Sequence, residues 1–175
     1  KVLMLSGKIG SGKSTLVNHL MYFIFDEKNY NEKKYEYFGK SSFYNQYLNN
    51  FYSNVIYLSG SDFKNVKIED IRNLKNKIFQ TTILAHPRFI VLDDVELFNN
   101  NSLNALLKVI EEPSNNNHFI LINNKSKPLI QTIYSRCLDI KIILNSETRQ
   151  EIITAMGSKI EIDSTFATLP TEYPF

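Results

Sequence analysis

The sequence predicts an α/β fold built on a parallel sheet of five strands, and three observations predict it. The apolar run Val2-Leu3-Met4-Leu5 leads into Gly7-Lys8-Ile9-Gly10-Ser11-Gly12-Lys13-Ser14, which fits G-x-x-x-x-G-K-[ST], the phosphate-cradling P-loop. Four more short apolar runs follow, at residues 55–58, 89–92, 119–122 and 138–143. All but the last lack polar alternation, the mark of strands covered on both faces. Helix-patterned segments lie between the runs, and strand–helix alternation gives a parallel sheet.

The P-loop sits in the context its mechanism needs. A β-type run precedes it, and residues 15–21 read as a helix. Glycines at 7, 10 and 12 let the backbone turn so that successive N–H groups aim at one anion. The helix N-terminus adds partial positive charge, and Ser11 and Thr15 join the glycines, Lys13 and Ser14 as candidate nucleotide-binding residues. Lys13 can reach the β- and γ-phosphates, and the Ser14 hydroxyl can ligate Mg²⁺. A glycine-rich turn with no ligand is the structural alternative.

Residues 26–54 differ from the rest. They are polar, charged and rich in tyrosine, and read as a surface insertion. Tyr30, Tyr35, Tyr37, Phe38, Phe43, Tyr44 and Tyr47 could stack on nucleic-acid bases, or could pack locally on one another. Ile71, Leu74 and Ile78 mark a helix over residues 69–84. Leu103, Leu106, Leu107 and Ile110 form one apolar stripe, with Asn101 or Ser102 as cap and Pro113 as stop. A last helix starts near Asn145-Ser146-Glu147 and runs on through Ile152, Ile153 and Met156. The tail at 157–175 is too short for an independent domain. A chain that opens at Lys1 and ends at Phe175 with no closing element reads as a fragment of a longer protein.

Composition narrows the field. The chain has 175 residues, 43% hydrophobic and 22% charged, which is a globular balance with room for one core. A net charge of +2 argues for neither nucleic acid nor membrane by itself. One cysteine, Cys137, excludes an internal disulfide and a cysteine-rich zinc site, and fits a reducing cytoplasm. No apolar run approaches a membrane span.

Beyond the P-loop, three places carry chemistry. Residues 89–92 end in Asp93-Asp94, a Walker B pattern, and a carboxylate at the C-terminal end of a parallel strand faces the ligand crevice. Asp93 would hold Mg²⁺; Asp94 stands where a P-loop ATPase places the group that orients the attacking water, one methylene shorter than the expected Glu. Such positioning depends on ångström-scale geometry, so nucleotide binding is the more secure expectation and hydrolysis the less. Asn123 follows residues 119–122 and could contact the γ-phosphate or hold the water, or be an ordinary turn residue, and Asn124 competes for that role. Arg136 could stabilise charge on a transferring phosphoryl group in a neighbour's site, or be a surface ion pair. His19, His86 and His118 lack ligand spacing.

Together these stretches resemble the AAA+ ATPase core of the bacterial sliding-clamp loader of DNA polymerase III. Residues 102–113 resemble N-A-L-L-K-x-x-E-E-P, and residues 129–137 resemble L-x-x-T-I-x-S-R-C. The resemblance covers residues 1–144 and leans to the delta-prime type. The four zinc-binding cysteines of the gamma/tau type are missing, and Asp94 replaces its Glu. The P-loop is intact, although delta-prime chains often have a degenerate one. The resemblance implies ATP with Mg²⁺ on an AAA+ core at 1–144 and the start of a helical lid at 145–175. It puts Asn123 at the sensor-1 position and Arg136 in trans at an adjacent subunit's ATP. Implied partners are the other clamp-loader subunits in a hetero-oligomeric ring, the sliding clamp and primed DNA, in the cytoplasm. A gamma/tau-like catalytic subunit and a non-catalytic AAA+ scaffold are the alternatives.

Overall fold

The structure, a computed structural model, describes residues 2–37, 39, 41–61, 68–79, 86–111 and 116–159. Strand β1 (Val2–Ser6) runs into the glycine-rich loop and α1 (Lys13–Phe25). A two-stranded ribbon, β2 (Tyr30–Asn31) with β3 (Glu36–Tyr37), and α2 (Ser42–Leu48) form the insertion. Then come β4 (Val55–Ser59), α3 (Ile68–Phe79), β5 (Arg88–Asp93), α4 (Asn100–Glu111), β6 (Asn117–Asn123), α5 (Gln131–Tyr134), β7 (Leu138–Lys141) and α6 (Ser146–Lys159).

Five strands form one sheet in the order β4-β5-β6-β1-β7, every pair parallel. Alternate strand residues point to opposite faces. Met4, Ile90, Leu92, Phe119 and Leu121 meet α3 and α4 through Ile71, Leu74, Leu103 and Leu106. Leu5, Val91, Ile120 and Ile122 meet α1 through Val17, Met21 and Tyr22. Two covered faces explain the unbroken apolar runs, and each fully buried aliphatic contributes about 1.5–3 kcal/mol. The last strand is the exception: at its edge of the sheet Leu138 and Ile140 are exposed, whereas β4 at the other edge keeps an unbroken apolar run. It stops at Lys141, short of the expected 143, although Ile142 N still donates to Ser6 O at 2.7 Å.

Several boundaries differ from expectation. The cap of α4 is Asn99, whose Oδ1 accepts from Ser102 N at 2.9 Å, and neither Asn101 nor Ser102 fills that role. The end of the helix expected at 69–84 and the Pro113 stop lie outside the described residues, as does Phe38. Helix α6 begins as read, with Asn145 Oδ1 accepting from Thr148 N at 2.7 Å. It runs through Gly157, where a tail was expected; residues 160–175 lie outside the described residues.

The insertion packs on itself and on α1. Tyr22 stacks on Tyr37 at 4.1 Å, Phe43 stacks on Tyr47 at 5.2 Å, and Tyr22 meets Phe43 edge-on at 5.4 Å. Burial pushes the Tyr22 phenol far up and the Tyr47 phenol up to about 12. Local packing, the second of the two sequence readings, is therefore what Tyr37, Phe43 and Tyr47 do.

Candidate nucleotide site

Parallel register brings the strand ends together. Ser6 of β1 pairs with Asn123 of β6, and Ser59 of β4 pairs with Asp93 of β5, so the polar ends of four strands line one edge of the sheet. The glycine-rich loop leaves β1 at that edge. Gly12 has φ 83°, a left-handed backbone that admits few side chains, and a Cβ there would meet nothing within 4 Å beyond its chain neighbours. Gly7 is needed for a different reason: a Cβ there would lie 2.3 Å from Ile142 O.

Helix α1 starts at Lys13 with no side chain capping its first turn. Its first backbone hydrogen bond to the loop is Leu16 N to Gly12 O at 2.9 Å, which leaves the Lys13, Ser14 and Thr15 amides as helix-terminal donors. Such a terminus suits an anion. Lys13 itself is buried, 2% exposed. Its ammonium donates to Gly7 O at 2.9 Å, Lys8 O at 2.7 Å and Ser11 Oγ at 3.1 Å. Burial lowers its pKa, against the pull of Asp93, Glu96 and Asp94. These residues fit a bound polyphosphate: the donors are present, the loop is open at Gly12, and a buried cation lies within it.

The two residues expected to ligate Mg²⁺ are also brought together. Ser14 Oγ donates to Asp93 Oδ2 at 3.3 Å, although 79 positions separate them. Asp93 Oδ1 accepts from Asp94 N at 2.9 Å. Burial raises the Asp93 pKa, while the hydrogen bonds from Tyr57, the Asp94 amide and Ser14 oppose that rise. A hydroxyl beside a half-enclosed carboxylate suits an oxygen-loving cation such as Mg²⁺, which keeps most of its waters.

Asp94 and Asn123 stand differently from each other. Asp94 has φ 50°, left-handed for a non-glycine residue, and its carboxylate accepts from Asn124 Nδ2 at 2.6 Å and Ser59 Oγ at 3.4 Å. Asn123 is buried at 1% exposure; its amide donates to Tyr134 OH at 2.9 Å and accepts from Lys125 N at 2.9 Å. Its main-chain oxygen accepts from Gly7 N at 3.1 Å, which ties it to the P-loop. Of the two adjacent asparagines, Asn124 is the one whose side chain meets Asp94.

Arg136 makes no contact with the P-loop. Its Nη2 lies 2.6 Å from Glu111 Oε1, its Nε donates to that same oxygen at 2.8 Å, and its Nη1 donates to Thr132 O at 3.0 Å.

Sequence reasoning missed three contributors. Tyr57 OH donates to Asp93 Oδ2 at 2.5 Å. Ser59 reaches Asp94. Glu96, 4% exposed, accepts from Asn124 N at 3.1 Å and from Ser126 Oγ at 2.8 Å, fixing the turn after β6. The available signal was the spacing of Tyr57 and Ser59: two hydroxyls two residues apart on the strand next to the aspartate-bearing one share one face.

Comparison with known proteins shows the family and the fold. The chain is 32% identical over 81 residues to DNA polymerase III subunit delta' of Buchnera aphidicola subsp. Baizongia pistaciae, a match covering 46% of this chain and 24% of that protein. It is 36% identical over 81 residues to DNA polymerase III subunit gamma of Buchnera aphidicola subsp. Schizaphis graminum, covering 46% of this chain and 22% of that one. These matches span about a quarter of each relative's length. The crystal structure of a DNA polymerase III gamma subunit-related protein from Thermotoga maritima superposes with a TM-score of 0.56 at 19% identity, over 91% of this chain and 47% of that one. The fold is the AAA+ type of P-loop NTPase. The family described as DNA polymerase III, delta subunit matches residues 1–146, a stretch that contains every site residue from Gly7 to Arg136. With its P-loop, paired aspartates and Arg136 all inside that match, the chain belongs to the DNA polymerase III delta subunit family.

Proposed function

We propose that this chain is the nucleotide-binding part of a delta-prime-type subunit of the DNA polymerase III clamp loader. In that reading residues 1–144 are the AAA+ core, and residues 145–175 begin a helical lid. The subunit sits in a hetero-oligomeric ring with other clamp-loader subunits in the cytoplasm. The ring uses ATP binding and hydrolysis to place a sliding clamp on primed DNA. The observation that carries the nucleotide part is the Ser14–Asp93 contact at 3.3 Å beside an uncapped helix terminus. The family match over residues 1–146 carries the complex.

Each residue then has a task. The amides from Gly10 to Thr15 cradle the phosphates of ATP, and Lys13 trades its carbonyl partners for phosphate oxygens. Ser14 and Asp93 would hold Mg²⁺, Asp93 through a water, and the ion would supply charge neutralisation at the phosphates. Asp94 and Asn123 are the candidates for orienting water at the γ-phosphate. Arg136 serves the ATP of an adjacent subunit, because its guanidinium is tied to α4 and α5 and not to its own loop.

Arg136→Ala tests the reading in the complex assembled from full-length subunits. Assembly stays intact and DNA-stimulated ATP turnover falls steeply, as loss of such arginines costs ~10³–10⁵ in other NTPases. Unchanged turnover removes the trans role. A gamma-like catalytic subunit is the second reading, supported by the intact Lys13-Ser14 pair and by gamma relatives at comparable identity. Self-association with DNA-stimulated hydrolysis by the full-length chain alone would favour it. Assembly independent of nucleotide, with Lys13→Ala silent, would favour a scaffold.

A further inference from the structure

We propose that Glu111 is the positioning residue for Arg136, and this inference rests on the trans role just described. Glu111 ends α4, and Arg136 follows α5, 25 positions on. Arginine offers five N–H donors in a rigid fork. Here Nε and Nη2 both reach Glu111 Oε1, at 2.8 and 2.6 Å. Nη1 reaches Thr132 O at 3.0 Å and Ser135 Oγ at 3.3 Å, and Ser135 Oγ itself donates to Thr132 O at 3.0 Å. Nε donates to Glu111, Nη1 to Thr132 O and Ser135 Oγ, and Nη2 is ion-paired with Glu111.

Such a tether is far more than an exposed arginine needs for its own sake. The side chain of Arg136 is 34% exposed and that of Glu111 is 45% exposed, and ion pairs in such places contribute little to stability. What the tether does is fix rotamers. A free arginine side chain samples many conformers, and ordering it at the moment of reaction raises the barrier. Held between the end of α4 and α5, the guanidinium keeps its Nε edge on the carboxylate while its side chain stays 34% exposed. A guanidinium so placed can still give a charge-assisted hydrogen bond to a phosphoryl oxygen across a subunit boundary. The glutamate belongs to the stretch that resembles N-A-L-L-K-x-x-E-E-P and the arginine to the one that resembles S-R-C, so the two signatures meet in one contact.

The experiment is steady-state ATP turnover, with kcat and KM separated, in the complex assembled from full-length subunits. Wild type is compared with Glu111→Ala, Glu111→Gln, Arg136→Ala and the double variant Glu111→Ala/Arg136→Ala. Glu111→Ala should lower kcat roughly 10- to 100-fold, the scale of an ångström-size misplacement, with KM within about twofold of wild type. Glu111→Gln, whose amide oxygen still accepts from Nε and Nη2, should restore most of the rate. The double variant should be no slower than Arg136→Ala alone. If Arg136→Ala slows turnover but Glu111→Ala does not, the positioning role is overturned and the trans role stands. A rise in turnover with Glu111→Ala overturns it too, since the glutamate would then restrain the arginine. So does a further loss in the double variant, which would put Glu111 on another route. If Arg136→Ala itself changes nothing, the trans role fails and Glu111 has nothing to position.

Discussion

Asn124 Nδ2 donates to Asp94 Oδ1 at 2.6 Å, and this contact binds the turn after β6 to the turn after β5. Asp94 holds a left-handed backbone, φ 50°, while making it. Asp and Asn tolerate that region better than other non-glycine residues. Asp94→Asn should therefore fold with little loss, whereas Asp94→Ala loses the Asn124 and Ser59 contacts and adds roughly 1–2 kcal/mol of backbone strain. Thermal denaturation of the two variants checks this. An equal effect on both would mean that the backbone at 94 carries no strain.

The Asp93 carboxylate is buried at 8% exposure and held by Tyr57 and Ser14. Burial raises its pKa, so the stability it contributes is present below the ordinary value of 3.8 and is lost as pH rises through the raised one. At neutral pH the charged carboxylate is a cost. Asp93→Asn should stabilise the nucleotide-free protein by about 0.5–2 kcal/mol at pH 7, and the gain should vanish in acid. The same variant should lose Mg²⁺-dependent ATP binding. Denaturant titrations at two pH values check the first part, and calorimetry the second.

Tyr57 donates to the oxygen of Asp93 that Ser14 also uses. Partners of this kind orient a metal-binding carboxylate, and losing one typically costs about 10- to 100-fold in metal affinity. Tyr57→Phe should raise the Mg²⁺ concentration needed for half-maximal ATP binding by that factor. Binding in the presence of a chelator should not change. An unchanged Mg²⁺ requirement would make the contact a packing feature only.

Burial, with the Asp139 charge beside it, pushes the Cys137 thiol up to about 11. The thiolate is the reactive form, so alkylation of the native protein at pH 8 should run ~100-fold slower than for an exposed cysteine. The rate should climb as pH approaches 11. Fast labelling at pH 8 would contradict the buried environment.

Much of this was legible in the residues. The five strands and the P-loop followed from patterns with one physical cause each: two covered faces for the apolar runs, and backbone freedom for the glycines. What stayed hidden depended on contacts between distant segments. The spacing of Tyr57 and Ser59 puts both on one face of their strand, but that this face meets Asp93 needs the β4–β5 register. Asn99 caps α4 in place of Asn101 or Ser102 because four cap-type residues, 99–102, lie together, and only the path of the turn after β5 chooses among them. The choice between Asn123 and Asn124 was of the same kind: neighbours on a turn point in different directions, and only the turn that Glu96 fixes decides which side chain meets Asp94.

The central claim is that a magnesium nucleotide lies on the amides at the start of α1, with Lys13 and the Ser14–Asp93 pair around it. Calorimetric titration of ATP into the full-length protein, with Mg²⁺ and with a chelator, tests it most directly when wild type is set beside Lys13→Ala. Saturable, Mg²⁺-strengthened binding by wild type is expected, weakened in the variant by roughly 1.5–3 kcal/mol, the worth of hydrogen bonds to a charged group. No heat of binding from wild type, or equal affinity in the two proteins, would contradict it.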